Sequence, residues 1–262
     1  MTSVNSSPKK ARSAWLLVAL PAWVYGTLLA VQLALGVAVG LLASVLLLGE
    51  QSLLAAHPVL FGALFALATY GVTIALVIWL PRRLWGQTTT RQELGISDRP
   101  TWLDVLLTPV GTVLYFGATV LTVSIVHALL PIDIQQPQQL PFSQEMLTGT
   151  WQYILAFLTM VVLAPLGEEV LFRGYLYGKL RARFRLLPTI IATSLTFGLA
   201  HLWVGGSLAN LQWLVAIDTA MLSVFLCLAR EKTGAIWTSV GMHMLKNGLA
   251  FCLLFVYPIM IQ

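Results

Sequence analysis

Residues 14–48 carry no charged side chain. At about 1.5 Å per helical residue the run exceeds the roughly 30 Å hydrocarbon core of a bilayer, which marks it as a membrane span. The run is expected to begin as an interfacial segment and to kink near Pro21. A cleavable signal peptide has an apolar core of only about 7 to 15 residues, so the prefix with Lys9, Lys10 and Arg12 reads as the cytoplasmic flank of a retained anchor. Composition extends the inference to the whole chain: 58% of its 262 residues are hydrophobic and 10% charged. A soluble domain carries about 25% charged residues to cover its surface.

Further spans are read at 59–81, 104–130, 150–178, 187–206, 208–229 and 235–259. The expected fold is all-α, a polytopic transmembrane bundle of seven to eight spans, the eighth being an element hidden in the long first run. The chain divides into a cytoplasmic tail at 1–13, N-terminal transmembrane helices at 14–149 and a C-terminal transmembrane core at 150–260. The Gln- and Pro-rich stretch from Ile134 to Phe142 reads as an external loop.

The fifteen basic residues orient this layout, because Lys and Arg accumulate on the cytoplasmic side. With the N-terminus inside, Lys9, Lys10, Arg12, Arg82, Arg83, Arg91, Arg99, Lys179, Arg181, Arg183, Arg185, Arg230 and Lys232 all fall in cytoplasmic segments. Arg173 and Lys246 fall within spans. The net charge of +5 therefore describes loops facing anionic membrane lipid, and no nucleic-acid partner is expected. The two cysteines, Cys227 and Cys252, lie in apolar runs and suit neither a disulfide nor a cysteine zinc site. A compact chain without soluble extensions suggests a bacterial plasma membrane.

Ionisable groups inside a bilayer are costly, so each is a functional candidate unless a partner explains it. The set is Glu168, Glu169, Arg173, His201, Asp218, His243 and Lys246, with the amide of Asn247. Glu169 and Arg173 stand four apart on one helix face and can pair. Glu168, turned about 100 degrees away, lacks that partner and is the better candidate for a reactive carboxylate; a purely structural Glu–Glu–Arg network is the alternative. Phe197 and His201 share a face, although a single histidine on an apolar helix is more often a satisfied core or interface residue; His243 and Asn247 also share a face and are more suggestive, with helix-to-helix polar contact as the common alternative. Asp218 reads as a polar contact between helices, and Lys246 has Asp218 as one possible partner.

Counting along the helices puts Glu168, His201 and His243 at roughly 16, 21 and 15 Å from the cytoplasmic ends, all near mid-membrane. A carboxylate and two imidazoles meeting there can deprotonate a water and stabilise an oxyanion, which suits peptide hydrolysis within the membrane. A proton relay or ion site of a transporter uses similar atoms. A zinc or other divalent metal on Glu168, His201 and His243 is also conceivable, although His-Glu-x-x-His is absent.

The three segments, Glu168-Glu169-x-x-x-Arg173 within GEEVLFRGYLYGKL, Phe197-x-x-x-His201, and His243-x-x-x-Asn247 within REKTGAIWTSVGMHMLKN, resemble the CAAX-protease and bacteriocin-processing family, also called the Abi family. The resemblance covers residues 150–258, some 40% of the chain. It implies a type II CAAX prenyl endopeptidase-like intramembrane protease, whose eukaryotic and archaeal relatives remove the C-terminal tripeptide of prenylated proteins, while bacterial relatives are linked to bacteriocin immunity or peptide maturation. It implies a membrane-associated or lipidated peptide or protein as substrate. It assigns Glu168 as the water-activating base, Glu169 and Arg173 as supporting residues beside Phe197, and His201, His243 and Asn247 as groups orienting water and stabilising the oxyanion. The family is labelled both as metalloprotease and as metal-free, so the resemblance leaves the metal open. A catalytically silent scaffold or immunity factor on the same fold is the alternative function, and a transporter the third.

Overall fold

The computed structural model describes residues 14–45, 56–130, 139–202 and 211–260. Within them the chain is helical, without a strand. Seven helices form the bundle: α1 Leu16–Val45, α2 Pro58–Trp85, α3 Trp102–Leu129, α4 Thr150–Arg181, α5 Leu186–Leu202, α6 Trp213–Thr233 and α7 Trp237–Val256, the last continued by Tyr257–Met260. Six are long and apolar enough to cross a bilayer, and α5 is a shorter apolar helix. The protein is an integral membrane protein. Its expected tail at 1–13, most of the loop from Ile134 and the connection at 203–210 lie outside the described residues.

The seven expected spans coincide with seven helices, and at α2 and α3 local chemistry explains where the ends differ. α1 continues through Pro21, so the described part of the first run is one helix and holds no additional element. α2 carries Pro81, Arg82 and Arg83 helically beyond the apolar stretch and stops at Gly86, whose φ of 65° is the left-handed region glycine tolerates. α3 starts two residues early because Thr101 and Asp104 form a capping box: each side chain accepts the other's backbone N–H.

On α3 the packing is the reverse of a soluble protein's. The buried residues of α3 are Asp104, Thr112 and Tyr115, while Leu106, Val113, Val120 and Leu121 point outward. Hydrocarbon solvates those side chains as well as a core would, so on this helix the polar residues and Tyr115 turn inward. α5 lies along α6. A Cβ on Gly198 would stand 2.7 Å from the Ala216 carbonyl oxygen, so the two backbones meet where one side chain is missing.

The basic residues gather at one end of the bundle. Lys179 of α4 donates to the Thr88 carbonyl at 2.8 Å and pairs with Glu93 at 3.1 Å in the α2–α3 connection. Arg181 of α4 pairs with Glu231 of α6 at 2.8 Å, Arg230 donates to the carbonyls of Gln92 and Glu93, and Trp237 of α7 donates to the Asp98 carbonyl at 2.6 Å. Partial burial works against ionisation of Glu93, but the Thr90 N–H and the Lys179 ammonium outweigh it and hold the carboxyl below its usual range. α2, α4 and α6 thus end, and α3 and α7 begin, on one polar face, as alternating spans require.

Candidate active site

α4 is not a uniform helix. It is π-helical over Leu158–Leu163 and Val170–Leu176, with the α-helical turn Ala164–Glu169 between them. Pro165 supplies a reason for the first wide segment. The Ala164 N–H bonds back to the Thr159 carbonyl, five residues earlier, and in that register the Met160 carbonyl would be matched to residue 165. Proline has no N–H to give. Asn247 of α7 fills the vacancy, its Nδ2 donating to Met160 O at 2.9 Å. Insertions of this kind recur at functional sites because they re-aim the side chains beyond them, and here those are Glu168 and Glu169.

Glu169 is fully buried. Its Oε1 accepts from Arg173 Nη1 at 3.1 Å and from His243 Nδ1 at 2.9 Å. The pairing expected between Glu169 and Arg173 is therefore present, and it reaches on to the imidazole of α7. The Arg173 guanidinium lies over the Phe197 ring, 4.3 Å from its centroid. The same ring meets Phe172 at 4.9 Å, His201 at 4.6 Å and His243 at 5.8 Å between centroids, so Phe197 spaces α4, α5 and α7 around the site.

Glu168 faces the other way. Its Oε1 accepts from the Tyr70 hydroxyl of α2 at 2.6 Å, and its Oε2 lies 3.9 Å from His201 Nε2 and 3.7 Å from His243 Nε2. Those two separations are too long for direct hydrogen bonds. Gly167 permits the tyrosine contact, since a Cβ there would stand 2.5 Å from the Tyr70 ring. The two other ring nitrogens set the tautomers. His201 Nδ1 stands 2.8 Å from the Phe197 carbonyl oxygen, which can only accept, and His243 Nδ1 meets the Glu169 carboxylate. Both Nδ1 atoms carry hydrogen, and both Nε2 atoms turn to Glu168.

These groups open on a cavity of about 330 Å³ whose wall includes Tyr70, Glu168, His201, His243, Lys246 and Asn247. Sequence depth had put the carboxylate and both imidazoles at one level, and the fold brings them together. It uses Asn247 for the Met160 carbonyl. One carboxylate and two neutral imidazole nitrogens are donor types that zinc takes, although no three His, Cys, Asp or Glu side chains among the described residues stand close enough to form a ready metal cluster. Asp218 bridges helices as expected, accepting from the Tyr115 hydroxyl of α3 and lying 3.4 Å from Lys246 Nζ of α7.

Sequence reasoning missed Tyr70. A single tyrosine in an apolar helix is ordinary, and the one signal was Gly167, which leaves a gap beside the candidate glutamate. It also missed the pairing of Met160 with Asn247, for which Pro165 was the available cue.

A helical membrane bundle enclosing a carboxylate and two imidazoles defines a polytopic membrane protein with ionisable groups gathered inside the bundle. Residues 150–249 match the family model described as Rce1-like, type II CAAX prenyl endopeptidase, in agreement with the resemblance carried by the three motifs of this segment. No curated protein and no solved structure matches the chain.

Proposed function

We propose that the protein is an intramembrane endopeptidase that hydrolyses a peptide bond of a membrane-associated or lipidated substrate through a water activated by Glu168. The observation that carries this reading is the approach of Glu168 Oε2 to two imidazole Nε2 atoms at 3.9 and 3.7 Å, gaps that one water can bridge. Glu168 takes a proton from that water as its oxygen attacks the scissile carbonyl carbon. The bare Nε2 of His201 accepts the second water hydrogen and fixes the direction of attack. His243 is oriented by the Glu169 carboxylate at Nδ1, so that a proton on its Nε2 would face the oxyanion. Collapse of the tetrahedral intermediate breaks the C–N bond, and the proton held by Glu168 passes to the leaving amine. Asn247 holds the π-helical segment by its donor on Met160, which leaves its remaining amide atoms for water.

Glu168, His201 and His243 are the residues that would hold a zinc or other divalent ion, which when bound would polarise the water and the carbonyl. Elemental analysis combined with activity after chelation separates that version from the metal-free one.

A second hollow of about 650 Å³ runs between α1, α2 and α4 and shares Gln32, Tyr70, Pro141, Met160 and Ala164 with the catalytic cavity. Its wall is mostly apolar, which supports a substrate whose lipid or apolar segment lies there with the scissile bond at Glu168. The family's prenylated substrates fit that description. The membrane is proposed to be the bacterial plasma membrane, with the N-terminus and the basic end cytoplasmic.

The test is Glu168→Gln in folded, membrane-inserted protein, assayed with an S-farnesylcysteine peptide ending in three apolar residues. Hydrolysis should fall at least a hundredfold, the scale of losing a general base. Cleavage at the unaltered rate would refute the assignment, and equal performance of both proteins in a cellular assay would favour a silent scaffold.

A further inference from the structure

Lys246 has no part in the hydrolytic step, yet it is a cation in the wall of the catalytic cavity, inside the membrane. It follows His243 by three residues on α7 and precedes Asn247, so the three side chains share one helix face. Its ammonium lies 3.4 Å from Asp218 Oδ2, wider than the roughly 2.7–2.9 Å of a tight charge-assisted hydrogen bond. Asp218 is itself held back, because its other carboxylate oxygen accepts from the Tyr115 hydroxyl. The Lys246 side chain is 16% exposed, so the ammonium is neither sealed in the bundle nor released to bulk water. A cation with three donors and one loose partner is an unfinished site for an anion. Arg173, the other intramembrane cation, is fully buried against Glu169 and Phe197 and is closed to ligands.

We propose that Lys246 binds the free C-terminal carboxylate of the peptide substrate, so that the enzyme measures its cleavage position from the chain end. The inference rests on the proteolytic reading of the same cavity and adds a specificity residue to it. A carboxylate entering a low-dielectric cavity without a partner is strongly penalised, and Lys246 is a preformed partner beside the bond to be cut. Asp218 neutralises the lysine while the site is empty of peptide and positions it through the Tyr115 contact. Internal peptide bonds, which bring no terminal carboxylate, gain nothing from this group.

The experiment compares one S-farnesylcysteine peptide as the free acid and as the C-terminal carboxamide. In the wild-type protein KM should be about tenfold to a hundredfold lower for the acid, the range of a hydrogen bond to a charged group, with kcat similar. Lys246→Met should bring the KM values of acid and amide together, abolishing the preference for the acid, and Lys246→Arg should restore part of the difference. Equal KM for acid and amide in the wild-type protein overturns the proposal without any variant, as does a Lys246→Met loss that is the same for both peptides. Binding of the two peptides to Glu168→Gln reads the same discrimination without hydrolysis, so failure of this inference and failure of the proteolytic reading give different results. Oleate supplies a carboxylate from lipid instead: if its affinity depends on Lys246 as strongly as that of the peptide acid, the assignment to the peptide terminus is overturned.

Discussion

Tyr70 reaches Glu168 from α2, outside the segment that carries the family match. Its hydroxyl gives one carboxylate oxygen a donor and turns the other toward the two imidazoles, so it acts as a positioning residue for the proposed base. Tyr70→Phe removes that donor while keeping the ring that packs against Gly167. The expected result is a kcat lower by about tenfold to a hundredfold with KM and thermal midpoint nearly unchanged, measured on the farnesylated peptide. A large drop in thermal midpoint would instead mark the hydroxyl as structural. Scarcity of charge made Glu168, Glu169 and the two histidines legible in the sequence, because each is anomalous in an apolar helix. Tyr70 was not legible for the opposite reason: its aromatic ring belongs in a membrane helix, and its importance lies in a partner 98 positions away.

Among the elements, α4 departs furthest from what hydropathy reveals. Apolar runs located all seven helices, since the length needed to cross a bilayer is a coarse property that survives errors of several residues. They are blind to helical register, so Leu158–Leu163 and Val170–Leu176 read as ordinary helix although both are π-helical. The link from Pro165 to the Met160 carbonyl to Asn247 makes a test of that register. Asn247→Ala leaves the carbonyl without a donor and should destabilise the bundle by about 1–3 kcal/mol in detergent. Pro165→Ala supplies a backbone N–H where none existed. In the double variant the cost of losing Asn247 should shrink by about 1 kcal/mol or more, a coupling that a denaturation midpoint series measures. Strict additivity would mean that Asn247 stabilises the fold through some other contact.

For the whole molecule, the distribution of basic residues decides which end faces which compartment. Ion pairs and hydrogen bonds tie the ends of α2, α4 and α6 to the starts of α3 and α7, so Arg82, Lys179, Arg181 and Arg230 belong to one polar face. The two ends differ sharply in basic content, and translocating Lys and Arg is disfavoured, so the basic face should stay cytoplasmic. That orientation sets the direction from which a water-borne chain end approaches Lys246 and Glu168. It can be read with single cysteines in a background where Cys252, the exposed native thiol, is replaced by serine and Cys227 stays buried. Ser97 lies exposed in the α2–α3 connection, and Gln144 lies exposed in the short 3-10 turn before α4. In intact bacterial cells a membrane-impermeant maleimide should label Gln144→Cys and spare Ser97→Cys, and permeabilisation should make Ser97→Cys reactive. The reverse pattern would invert the bundle and with it the proposed cytoplasmic N-terminus.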